Sequence, residues 1–260
     1  DMAPLQLGYS REEFEKIIKG YLTGAGFSEM YNYSFYSTND ATNSELGKIK
    51  HLELQNPMNP EQALIRTSLV PGLLKNIKEN LKNFKEIEIF EVGRTYLLSG
   101  DVLPQEKNML VGAVFLDEKK KGNNFYEAKG YVDLMLQKLG VDTYYFDEFK
   151  NSDENISSLW HKTRCAEIKI KGSKEFLGYV GEISPSVLQK FGIEKRVAMF
   201  EIDLGKLQKT ARGEREFKPL RKFPISERDV SMVASEEVKI DDILQIIQEA
   251  GGKLVIDTDL

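Results

Sequence analysis

Cysteine is almost absent. Cys165 stands alone in 260 residues, so no disulfide can close within the chain and no cysteine-rich zinc site can be built. Histidine is nearly as scarce, with His51 and His161 the two present, which excludes a histidine-rich metal site. No apolar run approaches the ~20 residues a membrane-crossing helix needs. The first residues also lack the pattern of a secretory signal. Positive charge is in deficit, with 36 Lys and Arg against 41 Asp and Glu for a net charge of -5. Composition therefore does not point to nucleic acid, although a local basic patch stays open. These absences suggest a reducing, cytoplasmic compartment and no membrane partner. What remains is ordinary for a globular chain, 41% hydrophobic and 30% charged, and long enough for one large domain or two. The chain opens on Asp1 and stops at Leu260 inside an expected strand, so a piece of a longer protein is expected.

The stretch 63–96 organises the rest. It opens on the apolar run Ala63-Leu64-Ile65, followed by Arg66-Thr67-Ser68. Pro71 suits the first turn of a helix, whose apolar stripe is Leu73, Leu74, Ile77 and Leu81. After Phe84 the period changes. Ile87, Ile89 and Val92 among Glu86, Glu88 and Glu91 give a half-buried strand. Gly93 is expected to interrupt it before Thr95-Tyr96-Leu97-Leu98 continues extended. Strand, crossing helix and return strand imply an α/β or α+β layer.

Earlier in the chain, Ser10 and Glu13 form a capping-box pair. They start a helix over 10–25 with Phe14, Ile17, Ile18, Tyr21, Leu22 and Ala25 inward, stopped by Gly24 and Gly26. An aromatic strand is expected over 29–35, carrying Tyr31, Tyr33 and Phe35. Residues 37–50 are polar, a short helix or loop, and 52–54 a short strand. Later come a central strand over 109–115, a solvated lysine turn over 119–124, and a helix over 125–139 capped by Gly140. Strands follow over 144–149, 167–170, 176–183 and 197–204. A surface loop is expected over 150–158, a hairpin turn at Gly172, Ser173 and Lys174, and a short helix from Ser184-Pro185 to Phe191.

Three features invite chemistry. Cys165 with His161 has the residue types of a nucleophile and base, but no glycine-rich oxyanion motif follows. A structural thiol and a turn histidine are expected. Arg66 has the chemistry of a phosphate or carboxylate ligand; a structural arginine held by carboxylates or carbonyls is the reading preferred. Gly178-Tyr179-Val180-Gly181 is no phosphate loop, since no lysine–serine pair follows. Its spacing suits strands packed closely at the backbone.

Several of these runs resemble one family. Leu64-Ile65-Arg66-Thr67-Ser68 with Pro71, Phe90-Glu91-Val92-Gly93-Arg94-Thr95-Tyr96 and the run 177–193 are similar to the catalytic-like module of phenylalanyl-tRNA synthetase beta subunits. That resemblance implies an α+β fold: a class II aminoacyl-tRNA synthetase-like antiparallel sheet flanked by helices, over 1–208. The run 26–33 resembles the first class II signature, an interface element, with Tyr33 in place of its proline. The resemblance therefore implies that Phe14, Tyr31, Tyr33 and Phe35 face a partner subunit. In the second signature an arginine grips the ATP α-phosphate, and here Leu97 and Leu98 follow Tyr96. The glycine-rich third signature and its arginine are missing near Gly205. Near Trp160 the family carries His-Pro-Gly-Arg, where His161 and Arg164 remain and Lys162-Thr163 intervene.

A basic run over 206–222 is expected to be a linker, with 209–222 as its bounds. Residues 221–231 then resemble the opening of a ferredoxin-fold anticodon-binding domain, incomplete over 223–260. It would comprise a strand over 228–234, a helix on Ile240, Ile243, Leu244, Ile247 and Ala250 ended by Gly251-Gly252, and a strand over 254–256. The resemblance implies tRNA contacts at Arg221, Lys222 and Arg228; for Arg228 an ion pair with Asp229 stands as the other reading. It further implies a noncatalytic part of a phenylalanine–tRNA ligase. The expected partners are the catalytic alpha subunit, two of each in a heterotetramer, and tRNA(Phe). ATP and magnesium would belong to the whole complex and no cofactor to this chain. An active divergent class II ligase and a stand-alone RNA-binding module are the alternatives. The altered signatures weigh against the first, and the acidic charge against the second.

Overall fold

The computed structural model describes residues 9–98, 100, 103–116, 124–141, 143–150, 158–172, 176–211, 224–235, 237–238, 240–256 and 258. They divide into two units, 1–215 and 216–260. The first unit holds α1 (Arg11–Gly24), β1 (Ser28–Glu29), β2 (Phe35–Tyr36), α2 (Thr38–Asn43), β3 (Leu64–Ile65), α3 (Val70–Asn80), β4 (Glu86–Leu97) and β5 (Gln105–Leu116). It continues with α4 (Asn124–Lys138), β6 (Tyr144–Glu148), β7 (Trp160–Ile170), β8 (Phe176–Ile183), α5 (Pro185–Phe191), β9 (Ala198–Asp203) and α6 (Leu204–Thr210).

Seven of these strands form one sheet in the order β1-β4-β5-β9-β8-β7-β6. β1 lies parallel to β4, and the other neighbouring pairs are antiparallel. A mixed α/β layer with a mostly antiparallel sheet is thus what forms. Because side chains alternate across a strand, the sheet separates two cores. On one face Phe90, Leu110, Val114, Val180, Phe200 and Ile202 pack with Phe14, Ile18 and Leu22 of α1, Val132 and Leu136 of α4, and Leu207 of α6. On the other, Ile87, Ile89, Val111, Met199 and Trp160 pack with Leu73, Leu74 and Ile77 of α3 and Val187 and Phe191 of α5. Each such side chain contributes about 1.5–3 kcal/mol by leaving water.

Local rules explain the helices. Ser10 Oγ accepts from the Glu13 N–H while a Glu13 carboxylate oxygen accepts from the Ser10 N–H, so the capping box forms and α1 starts there. Gly140 and Gly192 adopt positive φ after α4 and α5, where only glycine enters without strain. Glycines also set the sheet's spacing. A Cβ at Gly178 would lie 1.9 Å from the Glu201 carbonyl oxygen, and one at Gly181 2.6 Å from Cys165 Cα. These contacts are backbone and cannot swing away, so β7, β8 and β9 approach as closely as the sequence implied.

Several expectations are corrected. The aromatic strand over 29–35 does not exist as one element. β1 ends at Glu29, and β2 leaves the main sheet to pair with β3, because Asn32 turns inward to bond Asn76 and Glu91. β3 is therefore not a neighbour of β4 in one layer. The 52–54 strand is reduced to a bridge between Glu53 and Leu64. Gly93 does not interrupt β4, which pairs with β5 without a break. His161 lies in a strand, since β7 begins at Trp160, although its register shifts between Trp160 and Cys165. α6 takes in Leu204, expected to end the strand 197–204, and residues 209–210, expected to open the linker, with N-cap Asp203 accepting from the Lys206 N–H. The expected turns at 119–123 and 173–174, the loop over 151–157 and the basic run 212–222 lie outside the described residues.

The second unit holds α7 (Ile240–Gly251) and a 3-10 turn over Gly252–Leu254. Neither expected strand forms in it: 228–234 carries no ladder, and 254–256 is a turn followed by unpaired chain. A strand exists through its hydrogen-bonded neighbour, and none is present in this unit among the described residues. Val230, Val233 and Ile256 are accordingly exposed.

Candidate functional site

At one end of the face that carries α3, the apolar core gives way to buried polar groups. Arg66, at the exit of β3, reaches across to β4. Its Nη1 donates to Glu91 Oε1 at 2.6 Å and its Nε to the Arg94 carbonyl at 2.9 Å. Weaker Nη1 contacts go to the carbonyls of Asn32 and Tyr33. The Glu91 Oε2 accepts from Asn32 Nδ2 at 2.7 Å, and Asn32 also donates to Asn76 of α3. The two charged side chains are 8% and 2% exposed. The position of Gly93 follows from this: a Cβ there would lie 2.3 Å from Arg66 Nη2. The guanidinium is pinned by its acceptors, so it cannot move aside.

Beside this pair, Ser68 Oγ donates to Glu201 Oε1 at 3.0 Å and accepts from the Val70 N–H at the start of α3. Glu201 lies on β9 opposite Val111 of β5. Burial pushes its pKa above the usual carboxylate range, against the hydrogen bond from Ser68 and the charge of Lys107. Tyr36 Oη accepts from the Thr67 N–H and shares close contacts with Thr67 Oγ1 and His51 Nε2. A cavity of about 210 Å³ borders this cluster, lined by Tyr33, Tyr36, Arg66, Ser68, Lys75 and Glu91 among others. Lys75 is held by Asp40 at 2.5 Å. The ensemble is a closed hydrogen-bond network: Arg66, Glu91 and Lys75 are each engaged by this chain. Arg66 is the structural arginine the sequence reading preferred, held by a carboxylate and carbonyls.

The expected site residues fall in different places. Phe14 is 2% exposed inside the core, so it cannot present itself to a partner; the same helical stripe that marked it also buries it. Tyr31 and Tyr33 are 82% and 76% exposed between β1 and β2, and Lys19 stands 5.8 Å from the Tyr31 ring centroid. Phe35 is half-buried in β2. Arg228 is exposed and donates to the Glu227 carbonyl, with no ion pair to Asp229 among the described residues. Arg221 and Lys222 lie outside the described residues. Leu97 ends β4 opposite Gln105. Cys165 is buried, which pushes its thiol pKa far up, and His161 Nδ1 accepts from the Thr163 N–H; the thiol is structural, as expected. Among the described residues, no group of three or more His, Cys, Asp or Glu could hold a metal ion, and no helix is long and apolar enough to cross a membrane.

The sequence reading missed Glu91 and Glu201. In the strand pattern Glu91 stands with Glu86 and Glu88 among the polar positions. Its parity was the available signal, since it stands two and four residues from the buried Ile89 and Ile87 and two before Gly93. Glu201 lay inside an apolar strand with no sequence neighbour to explain it.

Residues 4–204 match the family described as the phenylalanyl tRNA synthetase beta chain CLM domain. The phenylalanine--tRNA ligase beta subunit of Clostridium tetani is 28% identical over 257 residues, 96% of this chain and 31% of the relative. That of Dehalococcoides mccartyi is 30% identical over 244 residues, 90% of this chain and 29% of the relative. The chain thus spans about a third of the length of the curated relatives it matches. Among solved structures, PylSc, a pyrrolysyl tRNA synthetase of Desulfitobacterium hafniense, superposes with a TM-score of 0.61 at 14% identity, over 81% of this chain and 76% of that one. At such identity the likeness is one of fold.

Two outcomes test the site. Glu91→Ala leaves the Arg66 guanidinium buried without its counter-charge and should cost about 3–5 kcal/mol. Arg66→Met with Glu91→Leu should restore much of that. Urea unfolding of the three proteins measures it, and equal midpoints for Glu91→Ala and the parent would refute the network's role. For Glu201 the sign runs the other way. Its folded pKa is raised, so the native state binds more protons than the unfolded chain above roughly pH 4.3, and stability falls as pH rises through the folded pKa. Glu201→Gln, which keeps the Ser68 contact, should remove this loss, seen as a flatter profile of stability against pH.

Proposed function

The chain belongs to the phenylalanyl tRNA synthetase beta chain CLM domain family, and from that premise we propose that it is the noncatalytic beta-subunit portion of a phenylalanine–tRNA ligase. In this reading it scaffolds the catalytic alpha subunit and contributes to tRNA(Phe) binding during ATP-dependent aminoacylation in the cytoplasm. Two alpha and two beta subunits form the assembly. ATP and magnesium belong to the whole complex, with no cofactor in this chain.

The observation that carries this reading is the closed network at the polar end of the sheet. A site for phosphoryl chemistry needs cations free to meet developing charge. Here Arg66 and Lys75 are each bound to a carboxylate of the same chain, and the end of β4 offers Leu97. What supports the scaffold role is the pair Tyr31 and Tyr33, two large aromatics left in solvent at the sheet's β1 edge. Tyrosine is enriched at protein interfaces, where its ring is covered and its hydroxyl bonds the partner. We assign 1–208 to the synthetase-like module, 209–222 to a linker and 223–260 to the start of a ferredoxin-fold anticodon-binding domain. Arg221, Lys222 and Arg228 are its proposed tRNA phosphate ligands.

Isothermal titration of the chain with ATP and magnesium should register no binding, and phenylalanine-dependent pyrophosphate exchange should stay at background. Exchange that a substitution in this chain abolishes would overturn the noncatalytic reading. Co-expressed with a catalytic alpha subunit, the chain should co-purify, and Tyr31→Glu with Tyr33→Glu should reduce recovery at least tenfold with circular dichroism unchanged. Full recovery with the double variant would remove this edge as the interface.

A further inference from the structure

The three residues that leave β3 are each held by a different buried partner. Arg66 and Ser68 reach Glu91 and Glu201, whereas Thr67 is tied to Tyr36 at the end of β2. Tyr36 and Thr67 are buried. Beside Tyr36 stands half-buried His51, from the chain between α2 and β3. The two rings meet edge-on with centroids 5.6 Å apart. Tyr36 Oη lies 3.1 Å from the Thr67 backbone nitrogen, 2.9 Å from Thr67 Oγ1 and 2.8 Å from His51 Nε2.

The phenol has a single proton for these neighbours. The Thr67 N–H can only donate, so Tyr36 Oη accepts there. A neutral imidazole nitrogen is a better acceptor than a phenol oxygen already accepting one bond. The Tyr36 proton therefore goes to His51 Nε2, and the Thr67 hydroxyl donates to Tyr36 Oη. This arrangement engages each of these polar atoms and requires neutral His51 with its proton on Nδ1. Burial lowers the His51 pKa, against a hydrogen bond to the Ile49 backbone and the charge of Glu53, which favour the cation. The other charged groups around the trio are accounted for in turn. Asp40 of α2 and Glu201 of β9 act on Tyr36; Asp40 is paired with Lys75 of α3, and Glu201 accepts from Ser68. Arg66 is paired with Glu91 of β4. Lys48 and Lys50 share a cavity of about 550 Å³ with His51 and Glu53.

We propose that His51 is a proton-sensitive clamp on the junction between β2 and the exit of β3. Neutral, it accepts the Tyr36 proton and leaves Tyr36 Oη free to accept from Thr67. Protonated, its Nε2 donates instead. Two donors then compete for Tyr36 Oη, the Tyr36 proton turns to Thr67 Oγ1, and the Thr67 hydroxyl proton is left without an acceptor among the described residues. The clamp is closed at neutral pH and loosens in acid. It acts on the same short run that positions Arg66 and Ser68. It needs neither the alpha subunit nor tRNA, so it stands apart from the scaffold reading.

Glu201 titrates with the opposite sign, so the test uses the full chain carrying Glu201→Gln. With His51 lowered in the folded state, the unfolded chain takes up the proton first, and stability falls as pH drops below roughly 6.5. In an NMR titration the His51 Cε1–H and the Thr67 amide should share one midpoint below that value. Thr67 amide protection, corrected for intrinsic exchange, should fall about three- to tenfold across it, as for one weakened hydrogen bond. His51→Gln keeps an acceptor that takes up no proton, so the Thr67 inflection should vanish with circular dichroism unchanged. Tyr36→Phe removes the proton that favours neutral His51 and should raise the His51 midpoint. Should His51→Gln fail to fold, the parent and Tyr36→Phe titrations decide. A Thr67 amide that stays flat while His51 titrates, an inflection that survives in His51→Gln, or a His51 midpoint unmoved by Tyr36→Phe would each overturn the proposal.

Discussion

The Arg66–Glu91 pair, 2.6 Å long and almost sealed from water, is the interaction on which the N-terminal half of the first unit depends. Two charges taken out of water lose several kcal/mol of hydration each, and their mutual attraction offsets this only when other hydrogen bonds complete the shell. The chain between β1 and β2 supplies that shell. Asn32 bonds Glu91, and carbonyls of Asn32, Tyr33 and Arg94 face the guanidinium. Turning Asn32 inward leaves its neighbours Tyr31 and Tyr33 pointing out, so one buried ion pair accounts for both the break in the expected strand and the exposed aromatics. Gly93 completes the arrangement by leaving the space that the guanidinium fills.

The sheet applies the same logic at its centre with apolar groups. Phe200 lies over Gly112, where a Cβ would be 2.0 Å from the ring, and its ring packs edge-on with Phe27. Gly178 and Gly181 let β8 nest between its neighbours. In each case a missing side chain on one strand is matched by a bulky group or bare backbone on the next, which is how close packing is met between these strands. Substituting any of these glycines would cost more than ordinary overpacking, because the obstructing atoms belong to backbone or to a ring fixed in the core.

Two buried glutamates, Glu91 and Glu182, are thus handled alike, each matched by arginine, while Glu201 accepts from a serine hydroxyl. The consequence is functional. Where arginine and carboxylate balance, as at Arg66, no charge is left to meet a ligand. At Glu182 two arginines converge on one buried carboxylate.

Most of the regular architecture was legible in the sequence. The capping box of α1, the stripes of α3 and α4, the apolar run of β5 and the close approach at Gly178 and Gly181 are local or periodic signals, and local physics alone fixes them. The strands expected near Arg228 and Leu254 failed for the complementary reason: a strand is defined by its neighbour, and none is present in that unit among the described residues. The polar site was illegible for a related reason. Arg66 and Glu91 are 25 positions apart, Ser68 and Glu201 are 133 apart, and nothing in either local pattern names the other. Sequence determined which segments could become helices and strands and which faces were apolar. Tertiary structure alone decided which charges met, because desolvation and pairing are properties of positions in space and not of neighbours along the chain.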